Sequence, residues 1–308
     1  MSFLFLEKKF CEATGKRVLS HPLNPLAYNE PVRPASQKLF LLLWLTAGTA
    51  SCRAQDNYEI QVYPGETVHP RSTMIELHSN YTVEGEKKVV DGLEPTDGAV
   101  HETIEITQGF TDWFETGFYI FTSIHHGNGW EWVGDHIRPR VRAPESWHWP
   151  VGVSLSNEIG YQRRKFSPDT WTWEIRPIVD KKLGRWYWSF NPTFDASLHG
   201  ENSGRGVEFS PNFKVSYDFF RSNGAGYRKV VSGGLEYYGA FGPVGDFDPL
   251  REQQQQFFPA IDVDISPKWE INFGVGVGAT RSTDHLIVKA IIGRRFSWKR
   301  DRAVPAGD

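Results

Sequence analysis

The chain has 308 residues, a net charge of −3 at neutral pH and a mean hydropathy of −0.45. It contains no apolar run of about 18 residues, the length that a membrane-crossing helix needs, which excludes a helical membrane protein. Without a basic surplus it is also a poor match for a nucleic-acid partner. Aromatic residues make up 14% of the chain and include 12 Trp, a supply that suits girdles at two bilayer interfaces.

The first 54 residues read as a leader and a signal peptide. Arg33 and Lys38 precede the apolar run Leu39 to Leu45, and small residues follow from Thr46 to Ala54, the order of an export signal. Cleavage is expected before Gln55. The turn-rich stretch ahead of the signal (His21-Pro22-Leu23-Asn24-Pro25) points to a true start near Val32. The alternatives are lipidation at Cys52 and a buried core helix over the apolar run. Both cysteines, Cys11 and Cys52, precede the cleavage point, so the exported part has no thiol for a disulfide or for Cys-ligated zinc. Residues 55–71 are expected to form a periplasmic N-terminal segment.

From Ser72 to Trp298 apolar and polar residues alternate in stretches of strand length. In the first, Ile75, Leu77, Tyr81 and Val83 oppose Glu76, His78, Asn80 and Thr82. Ile104 and Ile106 follow, then Phe114, Phe118, Ile120 and Ile124. Val151, Val153, Leu155 and Ile159 oppose Gly152, Ser154, Ser156 and Glu158. Trp171, Trp173 and Ile175 oppose Glu174 and Arg176. Later stretches centre on Trp186 to Phe194, Phe209 to Tyr217, Val231 to Tyr237, Ile261 to Ile265, Trp269 to Val277 and Leu286 to Phe296.

These eleven stretches predict an all-β fold, a transmembrane antiparallel up-and-down β-barrel over residues 72–298, with 299–308 as a C-terminal tail. Such barrels have an even strand number and alternate short periplasmic turns with long outer loops. Short turns at 109–112, 180–184 and 266–268 and long connections at 85–98, 196–205 and 241–256 keep that alternation only if Trp132 to Arg142 adds one more strand. Twelve strands with both ends periplasmic is the consistent solution. A soluble β-sandwich uses the same alternation with its apolar face inward. Small residues on the polar face (Gly152, Ser154, Ser156, Gly274, Gly276, Gly278) favour the barrel, as does the gathering of aromatics at strand ends.

Residues 134–296 resemble a group of poorly characterised Gram-negative outer-membrane proteins, porin-like and grouped under the name of a phenol-degradation pathway. The resemblance rests on Val133-Gly134-Asp135-His136-Ile137-Arg138-Pro139-Arg140, Glu174-Ile175-Arg176-Pro177, Ser210-Pro211-Asn212-Phe213-Lys214 and Ser266-Pro267-Lys268-Trp269. It implies a small pore or passive transporter of hydrophobic or aromatic compounds and brings no catalytic residues. The last strand, with Gly293 and Phe296, resembles the signal by which the barrel-assembly machinery recognises its clients, although here the chain runs on to Asp308.

Arg138, Arg140 and Arg142 fall on one face of a strand. As a lumenal ladder opposite Glu158, Glu174, Glu208 and Glu236, with Arg176 beside them, they would set a transverse field that selects solutes. The competing readings are a salt-bridge network that plugs the interior and loop arginines that bind lipopolysaccharide phosphates. Asp262, Asp264 and Glu270 read as a solvated acidic rim, so neither a metal nor a cofactor is predicted. Gly152-Val153-Ser154-Leu155-Ser156 departs from a nucleophile elbow, so no catalytic residue is assigned. The expected function is a passive outer-membrane channel for small solutes, reached by the secretory route and embedded in lipid and lipopolysaccharide. The alternatives are a non-conducting surface or adhesion barrel acting through loops such as 127–132, an outer-membrane lipid-modifying enzyme, and a soluble periplasmic binding module.

Overall fold

A computed structural model describes residues 57–125, 127–224 and 227–298. The leader, Cys11, Cys52, the cleavage site and the tail 299–308 lie outside the described residues. Twelve strands run in chain order: β1 Ser72–Glu84, β2 Val100–Thr111, β3 Phe114–His125, β4 Gly129–Arg142, β5 Gly152–Gln162, β6 Asp169–Leu183, β7 Trp186–Gly200, β8 Val207–Gly224, β9 Tyr227–Ala240, β10 Gln254–Ser266, β11 Trp269–Gly278 and β12 Leu286–Ser297. Each pairs antiparallel with its sequence neighbours. β1 also pairs with β12 from Ser72↔Ser297 to Glu84↔Leu286, which closes the barrel and leaves no free edge. The strand inferred from parity, Trp132 to Arg142, is β4.

One end carries tight turns at Asp112-Trp113, Gly184-Arg185 and Pro267-Lys268, and the other carries the long connections 85–99 and 241–253. The sequence reading fails in three places, the first being the long connection expected at 196–205, half of which is strand because β7 runs to Gly200. The β4–β5 connection at the turn end is long (143–151) and holds a short 3-10 turn, Glu145–Trp147, with Trp147 and Trp149 exposed. The proposed adhesion loop 127–132 is mostly strand, since β4 begins at Gly129.

The predicted faces hold. Leu77, Ile104, Phe118, Ile137 and Ile159 form one exposed apolar row on β1 to β5, with Ile137 46% exposed, while their neighbours Glu76, Glu105, Arg138 and Glu158 are buried. Water-facing surfaces do not present such rows, and lipid-facing ones do. Aromatic rings collect at both rims. Trp132, Tyr161 and Trp171 lie ring against ring in sequence at the loop end, with centroids 6.0 and 5.5 Å apart, and Trp186, Tyr217 and Phe219 meet edge to face at the turn end. Two glycines make room inside. A β-carbon at Gly276 would lie 2.2 Å from Phe258 Cζ, and one at Gly117 would lie 3.2 Å from Arg138 Nη2.

The stretch before β1 corrects the expectation of a periplasmic segment. Residues 57–69 run inside the barrel. Asn57 hydrogen-bonds Thr82 and Asp284 near the loop end, and Val68 N–H donates to Glu115 near the turn end. The chain then reverses at Arg71 (φ 58°), whose N–H donates to Gly109 O, and enters β1. The physical reason is visible in the residues. Tyr58, Ile60 and Val62 alternate with Glu59 and Gln61, and Tyr58, Ile60, Val62 and Tyr63 are all buried. This apolar row packs on Tyr238, Phe258 and Ile287 on one side and Tyr119, Phe121 and Val133 on the other.

A charge on the outer row tests the orientation. Ile104→Arg, at mid-height on β2, is expected to destabilise the barrel by about 2–4 kcal/mol in lipid vesicles, measured by urea unfolding. Thr103→Val, on the inner face, should not reproduce that loss.

Candidate functional site

The interior holds two ionic clusters on either side of the N-terminal segment. In the first, Arg138 on β4 reaches over Gly117 to Glu105 on β2 (Nη2–Oε1 2.5 Å) and lies 3.7 Å from Glu115 on β3. Arg140 pairs with Glu115 at 2.7 Å and donates to the Pro64 and Glu66 carbonyls at 3.1 and 2.6 Å. Arg176 on β6 pairs with Glu174 at 2.7 Å and with Glu59 of the segment at 3.3 Å. Between them lies the ring of Tyr63. The Arg138 guanidinium carbon is 4.5 Å from its centroid and that of Arg176 is 4.9 Å away. The Tyr63 hydroxyl meets Glu59 and the Tyr119 hydroxyl.

In the second cluster Lys289 on β12 pairs with Glu236 on β9 and donates to Ile60 O at 2.9 Å. Lys214 on β8 bridges Glu236 (3.0 Å) and Asp262 (2.7 Å), and Asn272 donates to both carboxylates. On the far wall Ser189 and Asn191 of β7 donate to Tyr63 O, and Asn191 Oδ1 accepts from Tyr63 N–H at 2.7 Å. The segment is therefore held through its backbone by wall side chains. At the loop end Asp284 closes the set. Burial pushes its carboxyl up, and hydrogen bonds from Thr96 and Asn57 pull it back.

The sequence-predicted residues do point inward, but their partners differ from those expected. Glu158 pairs with His136 at 2.5 Å, Glu174 with Arg176 on its own strand, Glu208 with Arg205 at 3.8 Å near the rim, and Glu236 with the two lysines. Arg142 leaves the ladder and pairs with exposed Glu145 at the turn end. Among the described residues no row of carboxylates faces the arginines across open lumen. The segment occupies that space, and the arginines take carboxylates from the adjacent strands. Glu105, Glu115, Lys214, Lys289 and Tyr63 were missed. The alternation of Glu105 and Glu115 on inner faces was legible, but not which arginine each would meet. Asp264 and Glu270 are cross-strand partners, Lys214 and Asn272 take Asp262, and Arg295 lies 3.8 Å from Glu270.

Polar cavities surround the segment. One of about 350 Å³ is lined by Gln61, Lys182, Lys214, Asp262 and Lys289, and one of about 170 Å³ by Tyr63, Glu76, Glu105 and Arg138. A larger space of about 760 Å³, bordered by Glu66, Arg142, Asp180 and Asp264, opens at the turn end. Gln61, Pro64 and Glu66 of the segment border more than one of them, so the three cavities lie along the same stretch of it, with the turn-end space as a vestibule. Toward the loop end lies the apolar belt of Ile60, Tyr238, Phe258 and Ile287.

No protein-family model matches the chain, and no curated protein matches it in sequence. Among solved structures, an outer-membrane channel from Pseudomonas putida F1 superposes with a TM-score of 0.47 at 10% identity, over 77% of this chain and 100% of that one. The NanC porin gives 0.43 at 7% identity, over 73% and 100%. The KdgM porin in complex with disordered oligogalacturonate gives 0.39 at 10%, over 73% and 99%. At such identities the likeness concerns the barrel shape alone.

Arg138 supplies a sharp test of the first cluster. Arg138→Ala leaves Glu105 without its guanidinium in a buried setting and is expected to cost about 3–5 kcal/mol in denaturant unfolding. The double variant R138M/E105L, which removes both charges, should recover most of that loss.

Proposed function

We propose that this chain is a passive channel of the bacterial outer membrane whose water path is throttled by its own residues 57–69. The single observation behind this reading is the interior itself. A lipid-facing wall encloses charged, cavity-bearing space, and the strip that fills the rest is joined to the wall by hydrogen bonds and ion pairs that can exchange with water.

In this proposal the tight turns face the periplasm, the long connections face outward, and the vestibule opens inward. Small hydrophilic solutes meet the basic groups of Arg142, Lys182 and Lys214 interspersed with the carboxylates of Asp180, Asp262 and Asp264, Lys214 and Asp262 being paired. Arg138, Arg140, Arg176, Glu158, Glu174, Glu208 and Glu236 act as lumen residues that hold the strip and set the local field. Export through the secretory pathway, contact with lipopolysaccharide at the loop end, assembly through the C-terminal strand and kinship with the phenol-pathway porin-like group belong to the same proposal.

The filled lumen also favours a second reading, a non-conducting barrel that displays 85–99 and 241–253. Planar-bilayer recording separates the two. Deleting Asn57 to His69 is expected to raise single-channel conductance several-fold over the intact exported chain, with heat-modifiable gel mobility confirming a closed barrel. A folded deletion variant that stays silent would support the surface protein. Within the channel reading, R142A/K182A should move the reversal potential in a salt gradient toward cation selectivity.

A further inference from the structure

We infer that the lumen holds a site for a divalent transition-metal ion, built by Glu76 and His78 of β1 and Glu105 of β2. One ligand atom from each of the three lies within 4.8 Å of the other two, and all three residues are buried. Glu76 and His78 alternate on the inner face of one strand, and Glu105 is the direct cross-strand partner of Glu76. Two carboxylates placed opposite each other repel, and burial sharpens that repulsion. A cation between them removes it.

The cluster has more than its acidity. His78 is fully buried, its Nδ1 makes no hydrogen bond, and its Nε2 lies 3.5 Å from Glu105 Oε2, too far for a good one. Buried imidazoles ordinarily find partners for both nitrogens. Glu76 makes no ion pair among the described residues, and its one hydrogen bond, from Gln61 Nε2, is 3.5 Å long. An imidazole nitrogen and two carboxylate oxygens form the mixed N/O donor set of first-row ions such as zinc, with room for water as a further ligand from the adjoining 170 Å³ cavity.

Arg138 does not occupy the position. It binds Glu105 Oε1, as does the Thr107 hydroxyl, which leaves Oε2 turned toward His78. That is the outer-shell hydrogen bonding that orients a ligating carboxylate. Tyr63 Oη, 3.4 Å from Glu105 Oε2, and Gln61 both belong to the inserted segment. Metal occupancy would therefore tie the segment to β1 and β2.

The test uses the full chain refolded in detergent, stripped with chelator and dialysed against zinc. The wild type is expected to retain one zinc per chain. Cobalt in its place should give a ligand-field absorption band with the signature of imidazole nitrogen. Because truncating a buried imidazole can cost the fold, E76Q carries the main weight, with H78Q beside it and H285A as the control outside the site. Folding of each is checked by heat-modifiable mobility. Affinity should fall at least about tenfold in E76Q and H78Q and hold in H285A. Absence of retained zinc in the wild type, or equal uptake by folded E76Q, would overturn the inference.

Discussion

Three guanidinium groups, of Arg138, Arg176 and Arg140, gather at one phenol ring in the middle of the lumen, and carboxylates are arranged around them. Arg138 and Arg176 lie against Tyr63, and each is matched by carboxylates from a different source: Glu105 and Glu115 from the wall, Glu174 from a neighbouring position on β6, Glu59 from the inserted strip. A desolvated cation–ring contact contributes about 2 kcal/mol, whereas an ion left unpaired at such depth costs several. The ring positions the cations, and the carboxylates make their burial tolerable.

The geometry of the wall explains why such matching is needed. Twelve closed strands pair each strand with two neighbours, but their side chains cannot fill the space enclosed. Apolar filling would need rings from all sides to meet, and among the described residues this happens around Ile60, Phe258, Tyr238 and Ile287 and around Tyr58, Tyr119, Phe121 and Val133. Elsewhere the inner faces carry Ser, Thr, Asn and charged groups, and an extended peptide supplies the donors and acceptors they lack. Ser189 and Asn191 on one side and Arg140 and Lys289 on the other read its carbonyls as a neighbouring strand would.

Much of the wall was legible because a lipid-facing strand must alternate at every second residue. Trp132 to Arg142 was recoverable even though its pattern is weak, since parity of turns and loops demands a strand there. The inward direction of Arg138, Arg140, Glu158 and Glu236 followed from the same periodicity. Their partners did not, because an arginine that crosses a glycine to the second strand away depends on register, which a single sequence does not specify. The inserted strip was missed for a related reason. Tyr58, Ile60 and Val62 show the period of two, but no turn and no partner strand mark it, and its role as a lumenal filling appears only once the wall has closed.

The described chain leaves the barrel at opposite ends, with Asn57 beside Thr82 at one mouth and Trp298 beside Arg71 at the other. A cylinder that sealed first would have to draw Tyr58 and its flanking residues through a completed bore past Arg138 and Phe258. Zipping of β1 to β12 around a strip already in place avoids that passage. In such a molecule topology couples the last seam of assembly to the seating of the first residues, so that neither is complete without the other.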